Sequence, residues 1–414
     1  MPSAASGYGS LLRLPGAAAF FFAAAVGRVG LAMTGIGLVW LSHARTGSYG
    51  TAGQTAAAFA LAEALIGPQL ARLTDRFGQT RVLPLSLLGH GLAVAGVLSA
   101  ASRPALVACA ACAGAAVPQL GSLSAARWAG LLRAERSGDL PAAFSLESLA
   151  NATAFLLGPV LVTALGAAGR TGLASGLAAA LVVGGGGVLA AQRRTAPLPG
   201  RTLRREDVPA RATGRGSARG LTRPGFLLLA LLNVAIGLYF GTMSVSISAF
   251  AVGHGTPGAA TPITAAASLG GLLAGWLYGR RRHSTPANLQ LIVVTAYLTG
   301  TSLLLPFAPS AAWLGVASVA TEAAVPPTLV LLTVLTERSV PDAVLTQAFT
   351  WNNSASAAGS ALAAWLAGRT ADRLGASAAF ALAPAAGLVL LLLALAARRH
   401  HTDRPAVPAA RQPV

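Results

Sequence analysis

The sequence predicts an all-α integral membrane protein with twelve spanning helices arranged as two six-helix bundles. Three observations carry this reading. First, 54% of the 414 residues are apolar and only 10% are charged, with mean hydropathy +0.64, whereas a soluble domain carries about 25% charge. Second, arginines are dense in every other loop. Third, short motifs of the first half recur in the second at similar offsets.

A helix crosses the hydrocarbon core with about 20 apolar residues. In the first half such runs cover 14–41, 50–73, 82–102, 104–126, 142–167 and 171–191. In the second half they cover 224–251, 259–279, 287–306, 310–335, 343–368 and 376–397. Between the halves, residues 192–223 hold nine Arg with Glu206 and Asp207, too polar to span and compositionally suited to partial disorder. The expected organisation is therefore an N-terminal bundle (1–191), a basic cytoplasmic linker (192–223), a C-terminal bundle (224–397) and a cytoplasmic tail (398–414).

Arginine placement tests the order of the spans, because Lys and Arg concentrate in cytoplasmic loops. All 30 basic residues are Arg. With the N-terminus inside, 24 fall in cytoplasmic segments and five (Arg45, Arg103, Arg170, Arg369, Arg373) in outer loops. Moving the helix count by one destroys this asymmetry. Both termini are thus expected in the cytoplasm, in a multi-pass protein of the cell (inner) membrane. The N-terminal apolar run is read as a retained first helix, being longer than a cleaved signal's core. The net charge of +18 is no nucleic-acid signature, because no basic stripe is interleaved with aromatics. Cys109 and Cys112 form CxxC inside an apolar helix with no further zinc ligands in view, and read as small packing residues.

The repeat appears at three places. Ala115-Ala116-Val117-Pro118 recurs as Ala323-Ala324-Val325-Pro326, offset by 208. The stretch Ala71–Arg76 matches Gly275–Arg280, offset by 204, and Asn151 and Gly158 match Asn352 and Gly359, offset by 201. Their common order implies six helices, a linker and six helices.

Between the second and third runs lies GPQLARLTDRFGQTR, read as a compact turn with Asp75, Arg76, Gly78 and Arg81. A small residue at Ala71 lets helices approach, Gly78 permits positive φ, and Asp75 can cap a helix or pair with Arg. This stretch resembles the signature loop of the major facilitator superfamily, with Ala71 where Gly is more common. The resemblance covers 14–397 and implies the major facilitator fold, with Asp75, Arg76, Gly78 and Arg81 as a gating loop. Gly158-Pro159, with Ala154 four residues before, resembles the Gly-Pro element of drug–proton antiporters in that superfamily. Val162-Thr163 stands where that element has paired glycines, and the intramembrane Arg that many such exporters carry in helix four is missing.

A charge within the bilayer needs a partner or a wet cavity. Arg28, Glu63, Glu147 and Glu322 stand in or near spans. Helices one, four, seven and ten line the cavity in the resembled fold, which places Arg28 and Glu322 there. Arg28 and Glu322 or Glu147 form a candidate exchange centre for substrate and proton, or a structural ion pair. Asn151 shares a face with Glu147; Asn233, Tyr239 and Asn352 add polar anchors to a mainly apolar pathway. Glu63 reads as titratable or as packing against the other bundle, and His90 as a hydrogen-bonded neutral histidine.

The expected function is a secondary active transporter that exports a small apolar or amphipathic compound by alternating access, with protons as coupling ion. An importer of a nutrient or small metabolite and a transporter-like membrane sensor are the alternatives. No GxxxxGK[ST] loop, HExxH, Ser/His/Asp set or paired acidic metal motif occurs, so neither an enzyme nor a cofactor is expected. The expected partners are a small-molecule substrate, protons and the lipid bilayer, not nucleic acid, and the chain is expected to be a monomer. The topology has a direct check. In a background without Cys109 and Cys112, Gly200→Cys should label only with a permeant thiol reagent and His254→Cys with an impermeant one. Labelling of both from the same side of whole cells overturns the twelve-helix order.

Overall fold

The computed structural model describes residues 8–47, 49–132, 134–198, 224–256, 259–281, 283 and 285–402. The bulk of the basic linker and most of the tail lie outside the described residues. All regular structure among the described residues is helical. The N-terminal bundle comprises α1 Ala17–Thr46, α2 Tyr49–Phe77, α3 Gln79–Ser99, α4 Arg103–Leu131, α5 Leu140–Ala167 and α6 Thr171–Ala191. The C-terminal bundle comprises α7 Pro224–Gly253, α8 Ala260–Arg280, α9 Ala287–Ser302, α10 Ala311–Ser339, α11 Leu345–Leu374 and α12, the last in two pieces, Ala376–Phe380 and Leu382–Thr402. A short helix, Tyr8–Leu12, precedes α1.

Two helices are broken where the sequence repeats. The α4 halves are Arg103–Ala115 (α4a) and Leu120–Leu131 (α4b); the α10 halves are Ala311–Glu322 (α10a) and Val325–Ser339 (α10b). Pro118 lies in the first gap and Pro326 just past the second, and each lacks the N–H a continuous helix needs. A second symmetry appears in the packing. A side chain on Gly158 of α5 would meet Ala32 Cβ of α1 at 2.7 Å, and one on Gly359 of α11 would meet Val234 O of α7 at 2.2 Å. Equivalent helix pairs in the two bundles thus approach through equivalent glycines, as small-residue packing in membranes requires.

Eleven of these helices are apolar enough to cross a membrane by composition alone; α11 is not. Thr346, Gln347, Thr350 and Asn352 are buried on it, and its main neighbours are α7, α2 and α4b. It is polar because it faces protein. Packing between the bundles runs through α5 with α8, α2 with α11, α5 with α10b and α4b with α11. These are the halves on the side where residues 192–198 lie, here called the linker side. On the opposite side the bundles part, and α4a and α10a pack chiefly within their own bundles.

Three expectations change. The signature turn is shorter than read: Asp75 and Arg76 close the last turn of α2, Gly78 alone interrupts the helix with φ 94°, and Arg81 already belongs to α3. Arg369 and Arg373 lie in the last turns of α11 rather than in a loop. Arg127, left just outside the fourth run (104–126), is inside α4b and fully buried.

The glycine contacts give a stability test. Gly359→Val should cost several kcal/mol, as overpacking against backbone does, at about 1–3 kcal/mol or more. Gly300→Ala, with open space around it, should be neutral or stabilising by about 0.5–1 kcal/mol. Thermal unfolding of the purified variants in detergent reads both.

Candidate functional site

The linker-side seam joins an apolar core shared by the two bundles, where Phe144 of α5 lies edge-on to Phe349 of α11 at 6.0 Å, with a few polar contacts. Asp75 Oδ2 accepts the Gln347 N–H at 2.8 Å, in the first turn of α11. First-turn N–H groups have no helical partner, and a negative charge is favoured there. The same carboxylate sits at the C-terminal end of its own helix, where the dipole opposes it. The contact across the bundles therefore compensates a charge that α2 alone disfavours. Arg76 stacks over the Phe77 ring, 5.2 Å from its centroid, and Arg81 lies one turn into α3; of the four signature residues, Asp75 is the one whose hydrogen bond crosses to the other bundle.

Three further contacts tie the same seam. Ser145 Oγ of α5 donates to Gly275 O of α8 at 2.7 Å, and Tyr8 Oη donates to Trp276 O at 2.8 Å. Burial raises the Tyr8 hydroxyl above its ordinary pKa, which keeps it a donor. Deeper in, Ser122 Oγ of α4b accepts from Thr350 Oγ1 at 3.1 Å and lies 3.5 Å from Asn353 Nδ2. A cavity of about 280 Å³ opens beside Asp75, lined by Gln79, Leu131, Thr195, Asp342 and Thr346.

Arg28 and Glu147 meet inside the N-terminal bundle as a buried ion pair between α1 and α5. The Glu147 carboxylate also accepts from Ser124 Oγ at 2.6 Å and Trp128 Nε1 at 2.8 Å, and Arg28 Nη1 donates to Glu147 O at 3.2 Å. Trp128 is fully buried, edge-on to Phe20 at 4.9 Å. Three donors from two helices, Arg28 of α1 and Ser124 and Trp128 of α4b, fix this carboxylate, as a buried charge requires. The pair is internal to one bundle, not a bridge between bundles. Arg127, next on α4b, donates to Gln79 Oε1, Leu189 O, Gln192 O and Thr195 Oγ1, pinning the start of the linker to α3, α4 and α6.

Glu322 lies in the other bundle, at the last residue of α10a. Its Oε2 is 3.4 Å from the Tyr239 hydroxyl of α7, which donates to it. The break that follows would ordinarily present free N–H groups to an anion, but Pro326 and Pro327 remove two of them. The remaining anticipated residues do not converge on either carboxylate. Asn233 Nδ2 bonds Leu229 O of its own helix, and Asn352 Nδ2 bonds Thr336 Oγ1 of α10b. Asn151 is exposed one turn beyond Glu147. His90 Nδ1 lies 3.0 Å from Ala113 O, and Cys109 and Cys112 are free thiols.

This geometry matches a known plan. The sequence matches the family model of the Major Facilitator Superfamily over residues 20–323. The chain belongs to the Major Facilitator Superfamily. Solved members share its fold: the human organic anion transporter MFSD10 (TETRAN) at 17% identity and TM-score 0.72, covering 91% of this chain and 98% of that one. A superfamily transporter, FucP, in the outward conformation matches at 14% identity and TM-score 0.72, covering 93% and 99%. A bacterial homologue of the iron transporter ferroportin in an outward-facing state matches at 13% and 0.72, covering 92% and 99%. Comparison with curated proteins yields no significant match. Membership in the superfamily makes the chain a multi-pass membrane transporter rather than an enzyme.

Sequence reasoning did not find Ser124, Trp128, Gln79, Arg127, Tyr8 and Ser145. The one available signal was helical spacing: Ser124 and Trp128 stand four apart and present one face. Removing one member of the Arg28–Glu147 pair should destabilise the protein by about 3–5 kcal/mol, whereas replacing both by neutral groups of similar size costs far less. Thermal unfolding of Arg28→Ala against the double variant Arg28→Met/Glu147→Gln decides this. Equal losses would deny the coupling.

Proposed function

We propose that this protein is a proton-coupled secondary transporter of the cell membrane that exports a small apolar or amphipathic compound by alternating access, as a monomer, with the linker side in the cytoplasm. The observation that carries the reading is the seam. Two internally bonded bundles meet on one side through a shared apolar core, with Phe144 of α5 edge-on to Phe349 of α11, and through a handful of hydrogen bonds headed by Asp75 to the first turn of α11. Each such bond is worth about 0.5–1.5 kcal/mol, or somewhat more with a charge, and together with the apolar contacts they hold the linker side closed. The arginine asymmetry supports the orientation.

Within this reading Glu322 is the proton carrier. Among the described residues its carboxyl has one hydroxyl neighbour and no cation, so a proton is the positive charge it accepts without rearrangement. Glu147, fixed by Arg28, Ser124 and Trp128, serves as a structural element of the N-terminal bundle through the cycle. Asn151 and Asn353 offer exposed amides to the substrate. Gly158-Pro159, which seats α5 against α1 and interrupts its hydrogen-bond ladder, supports export over import.

The test is transport in proteoliposomes with an imposed pH gradient, using amphipathic compounds to which the protein confers resistance in a strain lacking its own exporters. The parent should drive transport against the proton gradient. Asp75→Asn should lose most of it, on the order of tenfold (about 1.4 kcal/mol), at near-normal expression, and Glu322→Gln should exchange substrate without responding to pH. A parent protein indifferent to the gradient removes the proton coupling, and full activity in Asp75→Asn removes the gate.

A further inference from the structure

Glu63 on α2 is a charge that none of these roles uses. It lies on the buried stripe of its helix. Phe59, Gly67, Ala71 and Thr74 on that stripe are buried, whereas Glu63 is partly exposed. Leu61 and Leu65, two residues to either side and so about 160° round the helix, are 63% and 70% exposed and mark the outer face. One turn before Glu63, α2 is clamped to its own bundle: a side chain on Gly114 of α4a would sit 2.1 Å from Phe59 O. One turn after it, α2 meets the seam, where a side chain on Gly67 would lie 3.1 Å from Gln119 Nε2 and 3.7 Å from Thr350 Cγ2 of α11. Glu63 therefore stands where the seam ends and the bundles part, at the floor of the cleft that opens to the side away from the linker.

Every other charge at comparable depth has a partner: Arg28 and Glu147 each other, Arg127 the four acceptors named above, Glu322 a tyrosine hydroxyl. Among the described residues Glu63 has neither a hydrogen bond nor an ion pair. No neighbour supplies a cation. The α4a half carries no charge beyond Arg103 at its start, α11 carries none from 345 to 368, and Arg28 of α1 is committed to Glu147. A carboxylate within a span and without compensation is retained at a cost, and compensation from outside the chain is what remains. A metal ion is a poor fit, since hard cations take six or more oxygen ligands and no cluster of three metal-binding side chains exists among the described residues. An organic cation suits the site. It brings its own apolar surface for the walls, where Ala60, one turn before Glu63, is exposed, and needs one counter-charge.

We infer that Glu63 anchors the positive charge of the transported compound, which is thereby an amphipathic organic cation such as a hydrophobic amine or onium. This rests on the transport reading and narrows its substrate class. Binding is measured on the purified full chain in lipid nanodiscs, with tetraphenylphosphonium as the cation and triphenylphosphine oxide as its uncharged comparison. The parent should bind the cation, and Glu63→Gln should weaken that binding at least about tenfold while binding of the oxide stays within about twofold. Glu63→Asp, which keeps the charge, should retain an intermediate affinity and shows that any loss is not misfolding. Undiminished cation binding by Glu63→Gln, an equal loss for both compounds, or no cation binding by the parent overturns the assignment. Charge-dependent binding without gradient-driven transport would sink proton coupling and leave the anchor standing. Gradient-driven transport with no Glu63 dependence of binding would do the reverse.

Discussion

Hydrocarbon does not solvate charge, and the architecture follows from how that constraint is met. In the N-terminal bundle Arg28, Glu147, Ser124 and Trp128 form a bonded unit across α1, α4b and α5. Arg127 does the same for the ends of α3, α4 and α6. The C-terminal bundle holds Glu322, at the break in α10, against Tyr239. Because these charges are satisfied within a bundle, none of them ties the two bundles together, and rigid-body movement leaves them intact.

What does tie the bundles is confined to one side. Asp75 is placed by α2 at an electrostatically poor position, its own helix C-terminus, and made tolerable by the N-terminus of α11. Opening that side removes the compensation, so Asp75 favours closure. Ser145 and Tyr8 add neutral bonds to carbonyls at the end of α8.

The fold was largely legible in the sequence because apolar run length and arginine placement report directly on the bilayer. The sixth span, 171–191, coincides with α6, and most other ends agree within a few residues. The turn around Asp75 was misjudged because a charged helical turn reads as a loop; charge says where lipid ends, not where the helix does. Arg127 was misplaced for the same reason. The site was less legible. The sequence offered Arg28 two carboxylates, and only the packing of α1 on α5 brings it to Glu147. Ser124 and Trp128 look like ordinary helix residues until that pair is placed. Asn233 and Asn352 looked like pathway residues, and the structure shows their Nδ2 groups donating to Leu229 O of the same helix and to Thr336 Oγ1.

The composition of α11 bears on how the protein enters the membrane. A helix rich in Thr, Ser, Asn and Gln gains little from lipid by itself and sits poorly as an isolated spanning segment. Its place is made by α7, which it meets along glycine-lined surfaces at Gly237, Gly241 and Gly359. During synthesis α7 emerges well before α11. The eleventh helix thus finds a finished proteinaceous berth, and its membrane integration is a step of tertiary assembly rather than of independent partitioning.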